Sequence, residues 1–277
     1  MKRIFNLFLY TGVILAVLFL VFKGASNENI KVREYSEKTD KVTESTRLVL
    51  ITDLHSVLYG ENQKSLIEKI EAITPNAVLL GGDIVDDKRA DTGSRIFLEY
   101  IGSKYNCYYV SGNHEYWSYK ISEIKDMIRS YGIRVLEGEG VNITDEVMLW
   151  GVDDPDCQNR QYGSYDDWYG QLYRCNSQAD ESMFNILLSH RPERTDDYKE
   201  CKFDLVLSGH AHGGQWRIPV ILNGLYAPNQ GFFPKYAGGE YELGNADMIV
   251  SRGLALSNIP RIFNPPEIVV LNIEADK

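Results

Sequence analysis

Histidine is scarce in this chain, with five among 277 residues, and that scarcity excludes a background of incidental imidazoles. Cysteine is scarcer still, at four. Cys107 lies in an apolar run and reads as a core residue, while Cys201 is uninformative. Cys157 and Cys175 bracket a polar insertion and are placed to form a disulfide if the domain faces an oxidising compartment. Positive charge is also in deficit: 29 Lys and Arg face 39 Asp and Glu, for a net charge of −10. Setting aside Lys2, Arg3 and Lys23 at the N-terminus leaves the remainder three units more acidic. Such a chain lacks the basic footprint of a nucleic-acid binder, although a local basic cleft can sit inside an acidic whole. Repeats and low-complexity tracts are missing. With 44% hydrophobic and 25% charged residues, the composition excludes a disordered chain.

One long hydrophobic run is present. Residues 4–22 contain no charged side chain, and a helix of that length spans roughly 28 Å, close to a bilayer core. Apolar residues cover all its faces, which argues against a buried core helix. Lys2 and Arg3 ahead of it resemble the start of a secretory signal, but Phe22-Lys23-Gly24-Ala25-Ser26 is a poor cleavage site. Residues 1–23 therefore read as an uncleaved, single-pass anchor in the cell membrane. The short basic head places the following domain outside the cytoplasm. Lys23, Lys31, Arg33, Lys38 and Lys41 pull the other way under the positive-inside rule. Residues 24–46 are polar and read as a linker; a flexible chain of that length has an r.m.s. span of about 25–30 Å. The remaining residues, 47–277, are enough for one domain with a sizeable core.

That domain alternates strand-like and helix-like segments. Short apolar runs at 48–51, 77–80, 108–110, 147–150, 184–188, 205–207, 248–250 and 268–271 read as buried strands. Leu66, Ile67, Ile70 and Ile73 recur at helical spacing before Pro75; 95–101 and 118–131 read as further helices. Strands alternating with helices imply an α/β fold with covered sheets.

All five histidines fall in short polar blocks at the ends of strands: Asp53-Leu54-His55, Gly112-Asn113-His114-Glu115, His190, and Gly209-His210-Ala211-His212. Gly82-Asp83 adds a carboxylate in the same position. The C-terminal edge of such strands is where loops converge and ligands bind. Singly, each block reads as easily as a turn or a cap. Together they form a mixed imidazole and carboxylate set, suited to a transition-metal site.

In order and content the five blocks resemble the calcineurin-like metallophosphoesterase superfamily, over about residues 47–273. The Ser189–Glu193 and Gly209–Gln215 stretches are most similar to its bacterial membrane-anchored branch, some members of which cleave the pyrophosphate of UDP-2,3-diacylglucosamine. The resemblance implies a two-sheet β-sandwich flanked by helices, here preceded by one transmembrane helix. It also implies two divalent metal ions. Asp53, His55 and His212 would hold the first; Asn113, His190 and His210 would hold the second; Asp83 would bridge them. Two such ions lower the pKa of a bridging water and neutralise phosphoryl oxygens during in-line attack. The ligand types suit Mn, Fe or Zn. His114 would lie beside the phosphate, stabilising the transition state or protonating the leaving oxygen. Glu115 stands where many relatives have Asp, which leaves open the carboxylate that orients His114.

The implied function is hydrolysis of a phosphodiester or pyrophosphate, in a lipid-linked or nucleotide-linked substrate. A nuclease or nucleotide phosphodiesterase of the same superfamily is the alternative, disfavoured by the acidic charge. A non-catalytic metal-binding scaffold is a second alternative, opposed by the complete ligand set. Trp216, Tyr226, Phe232, Phe233 and Tyr236 read either as an apolar lip or as loop packing. Residues 153–182, with Tyr162, Tyr165, Trp168, Tyr169 and Tyr173, read either as a cover over the site or as a surface insertion. Arg191, Arg252 and Arg261 are candidates for a phosphate contact. The residues do not specify an oligomeric state.

Overall fold

Side chains alternate across a strand, and in β2 (Thr46–Ile51) both sets are buried. Leu48 and Leu50 enter one apolar cluster, Val49 and Ile51 another. In this computed structural model, which describes residues 28–162, 167–256 and 258–276 together with 10–12, 19, 23 and 26, that division repeats from strand to strand.

One sheet has the order β1–β14–β2–β3–β4–β5, formed by β1 (Lys31–Thr39), β14 (Glu267–Ala275), β2, β3 (Ala77–Gly81), β4 (Asn106–Val110) and β5 (Arg134–Val135). The other has the order β12–β13–β9–β8–β7–β6, from β12 (Gly239–Glu242), β13 (Asp247–Val250), β9 (Leu205–Ser208), β8 (Phe184–Leu188), β7 (Val147–Gly151) and β6 (Glu139–Asn142). Both are mixed. Strands β2 to β5 run parallel, as do β7, β8, β9 and β13, while β6 and β12 close the second sheet antiparallel. Leu50 and Leu79 of the first sheet share the central layer with Leu149, Ile186 and Leu207 of the second.

Helices cover the outer faces. After the strands of the first sheet come α1 (Lys64–Ile73), α2 (Thr92–Lys104), α3 (Asn113–Trp117) and α4 (Ile121–Ser130). Leu66, Ile70, Phe97, Ile101 and Ile128 pack there against Val49, Val78 and Leu80. On the second sheet, α5 (Trp168–Gln178) brings Trp168, Leu172 and Cys175 onto Trp150, Leu187 and Val206. Helix α6 (Thr195–Tyr198) buries Tyr198 in the same layer. The expected two-sheet sandwich with flanking helices is thus present.

Three sequence readings change. Residues 31–39, expected within a flexible linker, form β1, paired in parallel with β14 from Lys31 opposite Glu267 to Thr39 opposite Ala275. Its polar composition is that of an edge strand, held by ladder hydrogen bonds and not by apolar burial. Within the 153–182 insertion, residues 168–178 form the crossover helix α5: Trp168 is fully buried on the outer layer, so this helix is core and covers a sheet, not the histidine cleft. No disulfide joins Cys157 and Cys175; both are buried in that same layer, one in a 3-10 turn and one on α5. The run 4–22 lies almost wholly outside the described residues. Among those that are described, no helix is long and apolar enough to cross a membrane.

Candidate metal centre

Three parallel strands of the first sheet and two of the second end at the polar blocks. Asp53 and His55 follow β2, Asp83 follows β3, Asn113 and His114 open α3 after β4, His190 follows β8, and His210 and His212 follow β9. Both sheets therefore deliver side chains to one rim. The turns that do so are costly. Asp53, His55, Asp83, His210 and His212 all have φ between 46° and 64°, a region worth roughly 1–3 kcal/mol of strain per non-glycine residue. Gly82 is needed for space as well as conformation. At φ 88° an added Cβ would lie 2.6 Å from His190 Nδ1 and 2.8 Å from the Gly112 nitrogen.

Three groups of donor atoms result; His55, Asp86 and His114 form one, and the other two share Asp83. Asp53, His55, Asp83 and His212 form one; Asp83, His190 and His210 form the other, the atoms of each lying within 4.8 Å of one another. His55 Nε2 is 3.2 Å from His212 Nε2 and 3.6 Å from Asp83 Oδ2. His212 Nε2 is 3.2 Å from Asp53 Oδ1, and His190 Nε2 is 3.2 Å from Asp83 Oδ2. Asp53, Asp83, Asn113 and His190 are almost completely buried. Burial, the largest single influence, would raise the pKa of Asp83, but His190 together with His55 and His114 outweighs it and holds the carboxyl well below its ordinary range. Burial is likewise overridden at His190, which Asp83 pushes up to about 10. His210 moves the other way, pushed down by burial and then by the neighbouring Arg191.

Donors are fixed from behind. His190 Nδ1 donates to the Gly81 carbonyl at 2.7 Å, so Nε2 is the nitrogen that faces the carboxylates and would meet a metal ion. His55 Nδ1 lies 3.0 Å from Asp86 Oδ1. His210 Nε2 is 2.9 Å from Asn229 Oδ1, and its backbone N–H donates to Asp53 at 3.0 Å. His190 Nε2 and Asn113 Oδ1 are buried with no hydrogen-bond partner. Orphaned buried polar atoms of this kind are costly, and a divalent ion between these side chains would satisfy both. The residues fit the implied metals.

His114 is separate in its attachments. Its Nδ1 is 2.6 Å from Asp87 Oδ1 and 3.5 Å from Asp86 Oδ1, and its ring packs edge-on against His55 at 4.3 Å. Its backbone N–H donates to Asp83 Oδ1 at 2.8 Å. Asp87 is thus the carboxylate that orients it. Glu115 acts elsewhere, accepting from the amides of Gly112, Asp83, Ile84 and Val85 at 2.7–3.0 Å and so tying the second block to the third. Asp86, Asp87 and Asn229 escaped the sequence reading. The first two carried a signal, a pair of acids three and four residues beyond Asp83; Asn229 carried none.

The open cleft over these histidines has a volume of about 520 Å³ and is lined by His55, His114 and His212 with Asp86, Lys88 and Arg89 among others. Lys88 is exposed, and Arg89 is held by the carbonyls of His55 and Leu256. Among the described residues, none of the three arginines expected near a phosphate lines this cleft. Arg191 is clamped by Asp154 at 2.5 and 2.9 Å. Arg261 donates to the carbonyls of Ala255 and Asn264 at 2.8 Å. Arg252 faces Glu267.

Comparisons with known proteins agree with this geometry. Residues 46–214 match the calcineurin-like phosphoesterase family. An uncharacterized metallophosphoesterase of Helicobacter pylori is 30% identical over 96% of this chain and 70% of its own length. A transmembrane protein with metallophosphoesterase domain from Danio rerio is 27% identical over 78% of this chain and 51% of its own. Among solved structures, a dimetal phosphatase from Danio rerio superposes with a TM-score of 0.50 at 11% identity, covering 76% of this chain and 88% of that one. At such identity the superposition speaks for the fold alone. The family match spans all the blocks but the last segment of the fold, so the chain belongs to the calcineurin-like phosphoesterase family and is a metal-dependent phosphoesterase.

Proposed function

We propose that the chain hydrolyses a phosphodiester or pyrophosphate in a lipid-linked or nucleotide-linked substrate, of which UDP-2,3-diacylglucosamine is one example. The observation that carries this reading is the pair of donor groups sharing Asp83, with His114 standing beside them on its own carboxylate. Asp53, His55 and His212 would hold one divalent ion and Asn113, His190 and His210 the second, with Asp83 serving both. When bound, the ions supply Lewis acidity toward the phosphoryl group and lower the pKa of a water at the site. Asn113 contributes a neutral oxygen, which limits the negative charge facing an anionic substrate. His114, held at Nδ1 by Asp87 at 2.6 Å, stabilises the transition state or protonates the leaving oxygen. Residues 1–23 anchor the protein as a single-pass membrane protein with the domain outside the cytoplasm, a reading supported by the uncharged run at 4–22.

The test is hydrolysis of bis-p-nitrophenyl phosphate with added Mn, Fe or Zn, repeated with Asp83→Ala and His114→Ala. Activity in the parent that is abolished in Asp83→Ala and only reduced in His114→Ala, since p-nitrophenolate leaves without a proton, is expected; an inert parent, or a fully active variant, ends the assignment. Profiling membrane lipids after deletion of the gene identifies the substrate class. A reporter fused at the C-terminus reads the orientation.

A further inference from the structure

A second cleft, of about 410 Å³, shares no lining residue with the histidine cleft among the described residues. Three arginines meet in it: Arg33 on β1, Arg217 after the last histidine block, and Arg252 just past β13. Gly238 separates two of them, since an added Cβ there would lie 3.2 Å from Arg217 Nη1 and 3.3 Å from Arg252 Nε. Against them stands one buried carboxylate, Glu267, whose Oε2 is 2.7 Å from Arg33 Nε and 3.5 Å from Arg252 Nε. Neither contact has hydrogen-bond geometry, and all three atoms are buried without a hydrogen-bond partner. Arg217 donates to Asn223 Oδ1 at 2.5 Å. Burial, followed by the neighbouring Arg252, pushes Arg217 down to about 10. The cleft thus crowds like charge that its own acid does not balance, in a chain with a net charge of −10.

The rim of this cleft is apolar. Val220 and Phe263 line it, and Val220 is fully exposed. Ile218 pairs with Leu222 across a tight turn that projects Val220 and Ile221, the latter 81% exposed. Trp216 bridges to Ile262, so the turn and the 259–263 segment lie side by side, and Ile259 is exposed too. Soluble surfaces seldom carry so many contiguous large apolar groups. Val220 also holds φ 70°, and Phe263 φ 47°, a conformation that is a marked outlier for a β-branched or bulky side chain. Strain at exposed apolar residues points to a use for them.

We propose that this corner docks on an anionic membrane: Arg33, Arg217 and Arg252 take the phosphate of a phospholipid headgroup while the 218–221 turn enters the acyl boundary. Guanidinium forks match phosphate oxygens and lose less than ammonium groups on leaving water. A free phosphate would use the arginines but would leave the apolar rim in water. A bilayer uses both. The chain path agrees, because eight residues separate the uncharged run from Lys31, two positions before Arg33; that length reaches at most about 30 Å. The inference is independent of the metal centre, and only this last point rests on the proposed anchor.

The experiment uses the full chain with Ile221→Cys carrying an environment-sensitive fluorophore, the four native cysteines being buried. It is placed in phosphatidylcholine vesicles with and without phosphatidylglycerol. A blue shift that requires phosphatidylglycerol is expected. Arg33→Gln and Arg217→Gln should each reduce the inserted fraction relative to the exposed one by about fivefold. Val220→Asp, which suits the left-handed backbone, should abolish the shift while hydrolysis of a soluble substrate continues. The label reads insertion of the turn and does not respond to the N-terminal run alone, so failure of the anchor and failure of this docking are distinguishable. A label that stays in water on phosphatidylglycerol vesicles overturns the proposal, as does an unchanged shift in the arginine variants. So does Arg217-dependent thermal stabilisation by inorganic phosphate with the label still in water, which would make the cleft a site for free phosphate.

Discussion

The histidine rim and the arginine corner treat charge in opposite ways. At the rim, buried carboxylates and imidazoles alternate at close range, and Asp83 and His190 each shift toward the charged form under the other's influence. At the corner, three guanidinium groups face one carboxylate beside solvent-exposed apolar residues. The rim is assembled from both sheets and from strained turns, whereas the corner lies where an edge strand meets the final loops. A rim of that kind is built to hold small cations and let an anion approach. The corner is built to hold an anion directly. An overall acidic chain can therefore carry a local basic site, and net charge says little about where it lies.

Perturbing the two regions separately sharpens this contrast. The largest effect is expected for Asp83→Ala, which removes the carboxylate shared by two donor groups: kcat/KM should fall about a thousandfold or more, with fluorophore insertion at position 221 unchanged. His114→Ala should cost about a hundredfold in kcat on a substrate with a poor leaving group and much less with p-nitrophenolate, because a good leaving group needs no proton. Equal losses on both substrates would break that assignment. Asp86→Asn keeps the hydrogen bond to His55 but removes its charge, and metal affinity measured by titration should weaken ten- to a hundredfold. Gly82→Ala crowds His190 Nδ1; thermal unfolding should report about 1–3 kcal/mol of destabilisation. The smallest effect is at the corner. Arg217→Gln should leave hydrolysis of a soluble substrate unchanged, and a large loss there would mean the two clefts are coupled.

Much of the rim was legible because its residues must be of particular types and must follow strands. Asp53, His55, Asp83, Asn113, His114, His190, His210 and His212 all reach it from the ends of strands or the start of α3. Supporting groups were harder to see. Asp86 and Asp87 look like ordinary loop acids until the fold brings them behind His55 and His114. Glu115 looked like a possible partner of His114 and instead gathers four amides, a role that spacing cannot reveal. The β1 segment misled for a physical reason: an edge strand needs no apolar face when its pairing supplies the hydrogen bonds. The 153–182 insertion misled because its aromatic residues divide between core and surface, with Trp168 buried and Tyr169 and Tyr173 exposed. The suspected apolar lip divides in the same way: Trp216, Tyr226, Phe232 and Phe233 are exposed, whereas Tyr236 is buried.

Strand order has a consequence for synthesis. β14 sits between β1 and β2, so the first strand of the sheet pairs only with the last. A ribosome delivers β1 and β2 more than two hundred residues before β14. Until then β2 presents an open hydrogen-bonding edge and β1 has no partner, a state that invites mispairing and slows completion. Nascent chains halted before residue 267 should therefore stay protease-sensitive at 31–39, and Glu267, the acid that Arg33 and Arg252 share, arrives with the strand that closes the sheet.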